Sequence, residues 1–359
     1  MSIWKWSDWI ATVPESSRVS LGEGGTPVVR SRRIGPQAGL RNLWFKLEQS
    51  NPSASYKDRF ASAAISHMVA AGQTKCAATS SGNTGAALAA YCAAAGIECR
   101  IAIVEGAPPG KLRQMMAYGA RIARIRRFGT DAETTGRVFE RLNAIGQQPG
   151  WALQISAFVF SPLGMSGVQT ISYEMAEQLD SPIDHVFCQA GGGGLCVAVA
   201  RGFQTLVSSG RIARSPTIEC VQPEGNNTIS GALREGSARA REVTCTSKVS
   251  GLQVPTVIDG DLAISACVST GGTGHLVSDE FVWELQKRMA LEEGIFCEPA
   301  AATGLAGVLQ AMREGRIRPD ATVVCLVTGS GFKDEASVDR MLATAECPLI
   351  DPEALSEWQ

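Results

Sequence analysis

Cys76-Ala77-Ala78-Thr79-Ser80-Ser81-Gly82-Asn83-Thr84-Gly85 passes from a short apolar run into a polar, glycine-bearing turn, and an Ala-rich segment continues to Ala95 before Gly96 stops it. The run reads as a buried strand and the Ala-rich segment as a helix. Downstream, Ile97 to Val104 is a strand, Lys111 to Tyr118 a helix closed by Gly119, and Arg121 to Ile125 another strand. Strands alternating with helices at this spacing form parallel sheets covered on both faces, so the fold class is α/β. The pattern resumes with a strand from Ile183 to Ala190, the loop Gly191-Gly192-Gly193-Gly194 and a helix from Leu195 to Leu206. Thr217 to Gln222 is a further strand, and the unbroken apolar run in Thr322 to Val327 marks a central one. Upstream, the glycine-rich turn Leu21 to Pro27 leads into a short extended piece, Val28 to Arg30, and Leu43 to Glu48 roughly alternates like a half-buried strand.

At 359 residues the chain is long enough for two domains, each with a sizeable core. Boundaries near Arg41 and between Phe128 and Gln154 make residues 41–145 a smaller domain inserted in a larger one built from 1–40 and 146–359. A 45% hydrophobic, 19% charged composition with net charge −2 argues against a nucleic-acid partner. The first residues, Met1 to Pro14, lack an apolar run with a small-residue cleavage site, and no apolar stretch reaches membrane-spanning length. The expectation is a cytoplasmic protein. Its 11 cysteines never adopt CxxC or Cys/His ligand spacing and sit mostly in apolar segments, as reduced core residues do. His67, His185 and His275 are dispersed, so no metal site is expected.

Asn51-Pro52-Ser53-Ala54-Ser55-Tyr56-Lys57-Asp58-Arg59 sets a lysine at the start of a helix predicted from Tyr56 to Ala71, with Ser55 a candidate N-cap and Gly72 as its stop. The helix dipole disfavours a cation there, and that conflict marks Lys57 as a functional candidate. Gly191 to Gly194, between a buried strand and a helix, can turn successive N–H groups toward one point and suits a phosphate; the alternative is a flexible turn. The loop lacks the Lys-Ser/Thr ending of a triphosphate P-loop and the dinucleotide spacing, so a monophosphate fits better. Ser80 to Gly85 joins hydroxyls, an amide and a helix start at a strand end, where a carboxylate can be held, unless these are simply capping and turn residues. Val327 to Asp334 is a small, polar stretch directly after the central strand.

A lysine, a monophosphate loop, a carboxylate loop and a strand-end hydroxyl are the parts needed to hold pyridoxal 5'-phosphate as a Schiff base beside an amino acid. The Asn51 to Arg59 stretch resembles the cofactor-lysine motif of fold-type II (tryptophan synthase beta-like) pyridoxal-phosphate enzymes, and the fuller set is most similar to threonine synthases. That set adds Leu21 to Pro27, Ser80 to Gly85, Gly110-Lys111-Leu112, Ala117-Tyr118-Gly119-Ala120, the glycine loop, Glu298-Pro299-Ala300 and Thr328-Gly329-Ser330-Gly331-Phe332-Lys333-Asp334, over about residues 20–340 in order.

The resemblance implies that Lys57 binds the cofactor covalently and later moves protons. It further implies that Asn83 bonds the phenolic oxygen, that Gly191 to Gly194 with Leu195 hold the phosphate, and that Thr328 faces the pyridine nitrogen. A neutral hydroxyl there does not hold the nitrogen protonated, which favours elimination and replacement over transamination. Ser80, Ser81, Asn83 and Thr84 are implied to clasp the substrate carboxylate, the smaller domain to close over the substrate, and the assembly to be a homodimer.

One departure matters. Threonine synthases carry an Asn-Pro-x-Arg-x-Glu-Gly-Gln-Lys-Thr-like stretch whose Asn and Arg help bind the substrate's own phosphate. Here the stretch reads Ser161-Pro162-Leu163-Gly164-Met165-Ser166-Gly167-Val168-Gln169-Thr170, without the arginine. A lost charge-assisted contact costs roughly 1.5–3 kcal/mol, which Lys111, Arg113 or another basic residue would have to supply. The leading expectation is a threonine synthase-like lyase acting on O-phosphohomoserine. The alternatives are a serine/threonine ammonia-lyase or a cysteate/cysteine synthase-like β-replacement enzyme and, in a different class, a catalytically silent cofactor-binding protein.

Overall fold

The computed structural model describes residues 2–107 and 109–358, without the side chains of 109–111 and 356–358. It contains two sheets. The larger orders its strands β1-β2-β10-β7-β8-β9: Val28–Arg30, Asn42–Lys46, Thr322–Leu326, His185–Gln189, Thr217–Pro223 and Gly274–Val277. Only β1 is antiparallel, pairing Val29 with Phe45. The smaller sheet is parallel throughout, β5-β4-β3-β6: Arg121–Ile125, Glu98–Val104, Lys75–Thr79 and Trp151–Gln154.

Every residue of β10 is buried, as its unbroken apolar run requires, because helices cover both faces of the sheet around it. In the smaller sheet the Asn83–Ala95 helix is buried from Thr84 to Cys92, and its alanines and Gly85 let it lie close against the Lys57–Ala70 helix and the Pro109–Ala117 helix. Gly85 has no room for a side chain, since a Cβ there would lie 2.7 Å from Met115 Sδ.

The division expected at residues 41 and 145 differs from how the strands are shared out. β2 pairs with β10 in the larger sheet (Leu43 with Val323), whereas β6 pairs with β3 in the smaller one (Cys76 with Ala152). The Ala132–Gly146 helix, capped by Asp131 accepting from Thr134 N, connects β5 to β6. Ser55 does not cap the first helix. It forms an isolated antiparallel bridge with Gly329, Tyr56 takes the cap position, and the Ser55 hydroxyl is buried without a hydrogen-bond partner among the described residues. All 11 cysteines are free thiols, and all but Cys245 and Cys347 are buried. Among the described residues, no helix is long and apolar enough to cross a membrane.

Candidate active site

The segments that follow β2, β3 and β10 are joined by hydrogen bonds at the C-terminal ends of their strands, where open α/β sheets form ligand sites: Tyr56 N donates to Thr328 O, and Lys57 reaches Thr84 through Ser156. The Lys57 stretch is tied down at both ends. Asp58 accepts from Ser53 N at 2.9 Å and Ser53 Oγ at 2.7 Å, and Asn51 Oδ1 accepts from Gly24 N at 2.9 Å. Ala54 adopts a left-handed φ of 68° and accepts from Ser330 N, while Tyr56 N donates to Thr328 O. These bonds fasten the lysine loop onto the segment after β10.

Lys57 Nζ donates to Ser156 Oγ at 2.7 Å and lies 4.4 Å from the centroid of the Tyr56 ring. Burial lowers its pKa to about 8, against the opposing pull of Asp259 and Glu298. An amine that loses its proton near neutral pH can act as nucleophile and base. Ser156 Oγ also hydrogen-bonds Thr84 Oγ1 at 2.8 Å, which joins the lysine to the Ser80–Gly85 loop.

The glycine loop fits an anion cradle. Gly193 has φ +95°, and a Cβ there would lie 2.9 Å from Ala263 Cβ; one on Gly194 would lie 2.9 Å from Asp259 Oδ2 and 3.0 Å from Met165 Cε. The loop opens directly into the 15-residue helix Gly194–Ser208, whose first N–H groups have no intrahelical acceptor. Leu195, expected with the loop, is buried in that first turn.

Asn83 Nδ2 donates to Glu298 Oε1 at 2.8 Å. Glu298 takes the N-cap position of the Pro299–Arg313 helix, and Gly329 makes room for it: a Cβ on Gly329 would lie 2.7 Å from Glu298 Cδ and 3.1 Å from Asn83 Nδ2. Ser80 Oγ accepts from Gly82 N at 3.2 Å, and Ser80, Ser81 and Asn83 remain partly exposed at the loop while Thr84 is buried. Thr328 Oγ1 accepts from Gln189 Nε2 at 2.6 Å. Because that bond uses a lone pair, the Thr328 hydrogen is left to donate elsewhere, which suits an unprotonated pyridine nitrogen.

Gly164 stands where threonine synthases carry the arginine, and it is closely packed. A Cβ there would lie 2.7 Å from Phe60 Cε2 and 2.8 Å from Ala64 Cβ. The position therefore lacks space for any side chain, a guanidinium included. Of the suggested substitutes, Arg113 is exposed and 3.7 Å from Glu335, and the side chain of Lys111 lies outside the described residues. Lys333 Nζ donates to Gln114 Oε1 across the cleft, and burial lowers its pKa.

The structure thus brings Lys57 and Thr84 together through Ser156, and ties the Lys57 loop to the segment after Thr328. Ser156, Gln189 and Asp259 carried no sequence signal, being single polar residues far along the chain. Glu298 stood in a quoted motif, but its link to Asn83 spans 215 positions.

Comparison with known proteins agrees with this geometry. Residues 19–329 match the family described as "Pyridoxal-phosphate dependent enzyme". The threonine synthase of Methanocaldococcus jannaschii is 31% identical over 355 residues, covering 97% of this chain and 84% of the relative. That of Methanosarcina acetivorans is 32% identical over 340 residues, covering 94% and 81%. Among solved structures, the processed form of threonine deaminase isoform 2 from Solanum lycopersicum has a TM-score of 0.72 at 20% identity, covering 90% of this chain and 88% of that one. Maize serine racemase has a TM-score of 0.71 at 24% identity, covering 89% and 92%. The matched family, the arrangement of the loops and the relatives lead to one assignment: the chain belongs to the fold-type II pyridoxal-phosphate-dependent enzymes, as a threonine synthase-like member that uses pyridoxal 5'-phosphate.

Proposed function

We propose that this enzyme carries out elimination or replacement on a β- or γ-substituted L-amino acid, with the threonine synthase reaction, O-phosphohomoserine and water to threonine and phosphate, as its leading activity. The observation that carries the reading is the Lys57 amine, half-buried, lowered in pKa and held by Ser156 beside the Ser80–Gly85 loop. When bound, pyridoxal phosphate supplies an electron sink that acidifies the substrate's α-hydrogen. In this reading Lys57 links to the cofactor and, once freed, takes and returns protons at the substrate carbons. Gly191, Gly192, Gly193, Gly194 and Leu195 hold the phosphate through backbone N–H groups and the helix dipole. Asn83, oriented by Glu298, donates to the phenolic oxygen, and the Thr328 hydrogen meets the ring nitrogen. Ser80, Ser81, Asn83 and Thr84 hold the substrate carboxylate.

A second reading is favoured by the packing around Gly164, which denies the substrate phosphate its usual arginine. It is a serine/threonine ammonia-lyase or a β-replacement synthase with a smaller leaving group. Phosphate release from O-phosphohomoserine and O-phosphoserine, run beside keto-acid formation from serine and threonine, separates the two. Phosphate with threonine from the first substrate supports the leading activity; keto acid alone supports the second. The reading further includes a cytoplasmic homodimer whose smaller domain closes over the substrate, and sedimentation with and without substrate tests both the dimer and the closure.

A further inference from the structure

Asp259 lies at the meeting point of three pieces of the site. Its N–H donates to Gly192 O at 3.0 Å, which ties it to the glycine loop. Its carboxylate accepts from Phe158 N at 2.7 Å and from Val159 N at 3.1 Å, fixing the turn that begins with Ser156. Ser156 in turn is the hydrogen-bond acceptor of Lys57 Nζ. The residue is 1% exposed, and Gly194 is bare on the side facing it, since a Cβ there would lie 2.9 Å from Oδ2. An acid so close to a phosphate cradle is costly unless it serves the cation beside it.

We propose that Asp259 is the positioning residue for Lys57: through the Phe158 and Val159 N–H groups it holds Ser156 under the amine, and through its N–H bond to Gly192 O it fixes that turn against the glycine loop, with its carboxylate as counter-ion to the amine. The inference rests on Lys57 being the reactive amine. The charged and titratable groups around the pair support a counter-ion role. Lys57 feels Asp259 and Glu298, with the neutral Tyr56 ring against it; Asp259 feels Arg201 and Lys57; Glu298 is offset by Lys333. Burial raises the pKa of Asp259, the two backbone N–H bonds oppose that rise, and Lys57 and Arg201 favour the carboxylate.

The test uses full-length protein freed of pyridoxal phosphate. The rate of reductive methylation of Lys57 is followed against pH by peptide mass spectrometry, in the wild type, Asp259→Asn, Asp259→Glu and Ser156→Ala. The wild type is expected to show a midpoint near pH 8. Asp259→Asn lowers it by about one unit, a roughly tenfold rise in free amine on the acid side, and Asp259→Glu restores part of the shift. Ser156→Ala lowers it as well, because the ammonium loses its acceptor. If Asp259→Asn fails to fold, Asp259→Ser, which keeps an acceptor for the Phe158 and Val159 N–H groups but not the charge, takes its place with the same expected fall in midpoint. Unchanged midpoints in folded variants overturn the proposal. Because cofactor is absent throughout, that failure is distinct from a failure to bind pyridoxal phosphate, which the absorption spectrum reports separately.

Discussion

Replacing Arg59 with methionine should cost about 3–5 kcal/mol of stability, because it removes the central cation of a buried network. Arg59 makes five short bonds: Nε to Glu48 Oε2, Nη2 to Glu48 Oε1, Nη1 to Glu174 Oε1 and Nη2 to Glu174 Oε2, all at 2.7 Å, and Nη1 to Thr170 Oγ1 at 2.9 Å. Lys46 Nζ completes the group, bonding Glu174 Oε2 at 2.7 Å and Thr26 O at 2.8 Å. Two cations face two carboxylates, so the wild-type cluster is neutral inside the protein. Methionine fills much of the volume but leaves Glu48 and Glu174 sharing Lys46 alone, a buried excess of one negative charge. The loss should also depend on pH. Burial alone would push Glu174 up, yet Arg59 and Lys46 hold it near 2. A carboxylate depressed in the folded state contributes stability above its unfolded value, 4.5, that is lost as pH falls toward 2. The gap between wild type and variant should therefore be widest at neutral pH and narrow below about 4.5. Urea unfolding of cofactor-free protein at pH 7 and pH 4 reads both quantities. A loss under about 1 kcal/mol, or one equal at the two pH values, would refute the view that this cluster anchors the lysine-bearing helix.

Two further outcomes are expected. Gly329→Ala would drive a Cβ into Glu298 and within 3.1 Å of Asn83 Nδ2, so pyridoxal phosphate should bind about tenfold more weakly in a direct titration; an unchanged Kd would remove Glu298 from the account. For Lys57, the folded state gives up its proton near 8 while the unfolded lysine keeps it to about 10.5, so the unfolded state binds more protons in that window. Cofactor-free wild type should then gain stability relative to Lys57→Met as pH rises from 8 to 10.5, by at most about 1.4 kcal/mol per unit, and a flat difference would mean that the amine is not desolvated.

The parallel sheets were legible because their strands are continuous apolar runs bounded by glycine turns: β7 and β10 lie within the stretches read from the chain. The Ala132–Gly146 helix was passed over although Val138, Phe139, Leu142 and Ile145 recur on one face at helical spacing; only Leu142 of these is fully buried, so the face lies at the margin of the core. β6 was missed for a similar reason: Trp151–Gln154 is four residues long and only Ala152 is fully buried. Within the site, residues carried by glycine or hydroxyl clusters could be found locally, whereas their supports could not. Gln189 meets Thr328 across 139 positions and Ser156 meets Lys57 across 99, and such pairings are set by strand order rather than by spacing. The Ser55 N-cap expectation failed because the backbone there is drawn into a bridge with Gly329, a tertiary demand that outweighs local capping preference.

The most direct test of the central claim is an absorption spectrum of the purified protein with pyridoxal phosphate, recorded for wild type and Lys57→Ala while O-phosphohomoserine is titrated and released phosphate is followed. The account predicts a visible band in the wild type that shifts as substrate binds and phosphate appears, and neither band nor turnover in the variant. A band that ignores O-phosphohomoserine but responds to serine or threonine moves the activity to the second reading. A wild type without a band, or a Lys57→Ala variant with the same band and turnover, contradicts Lys57 as the residue around which this site is built.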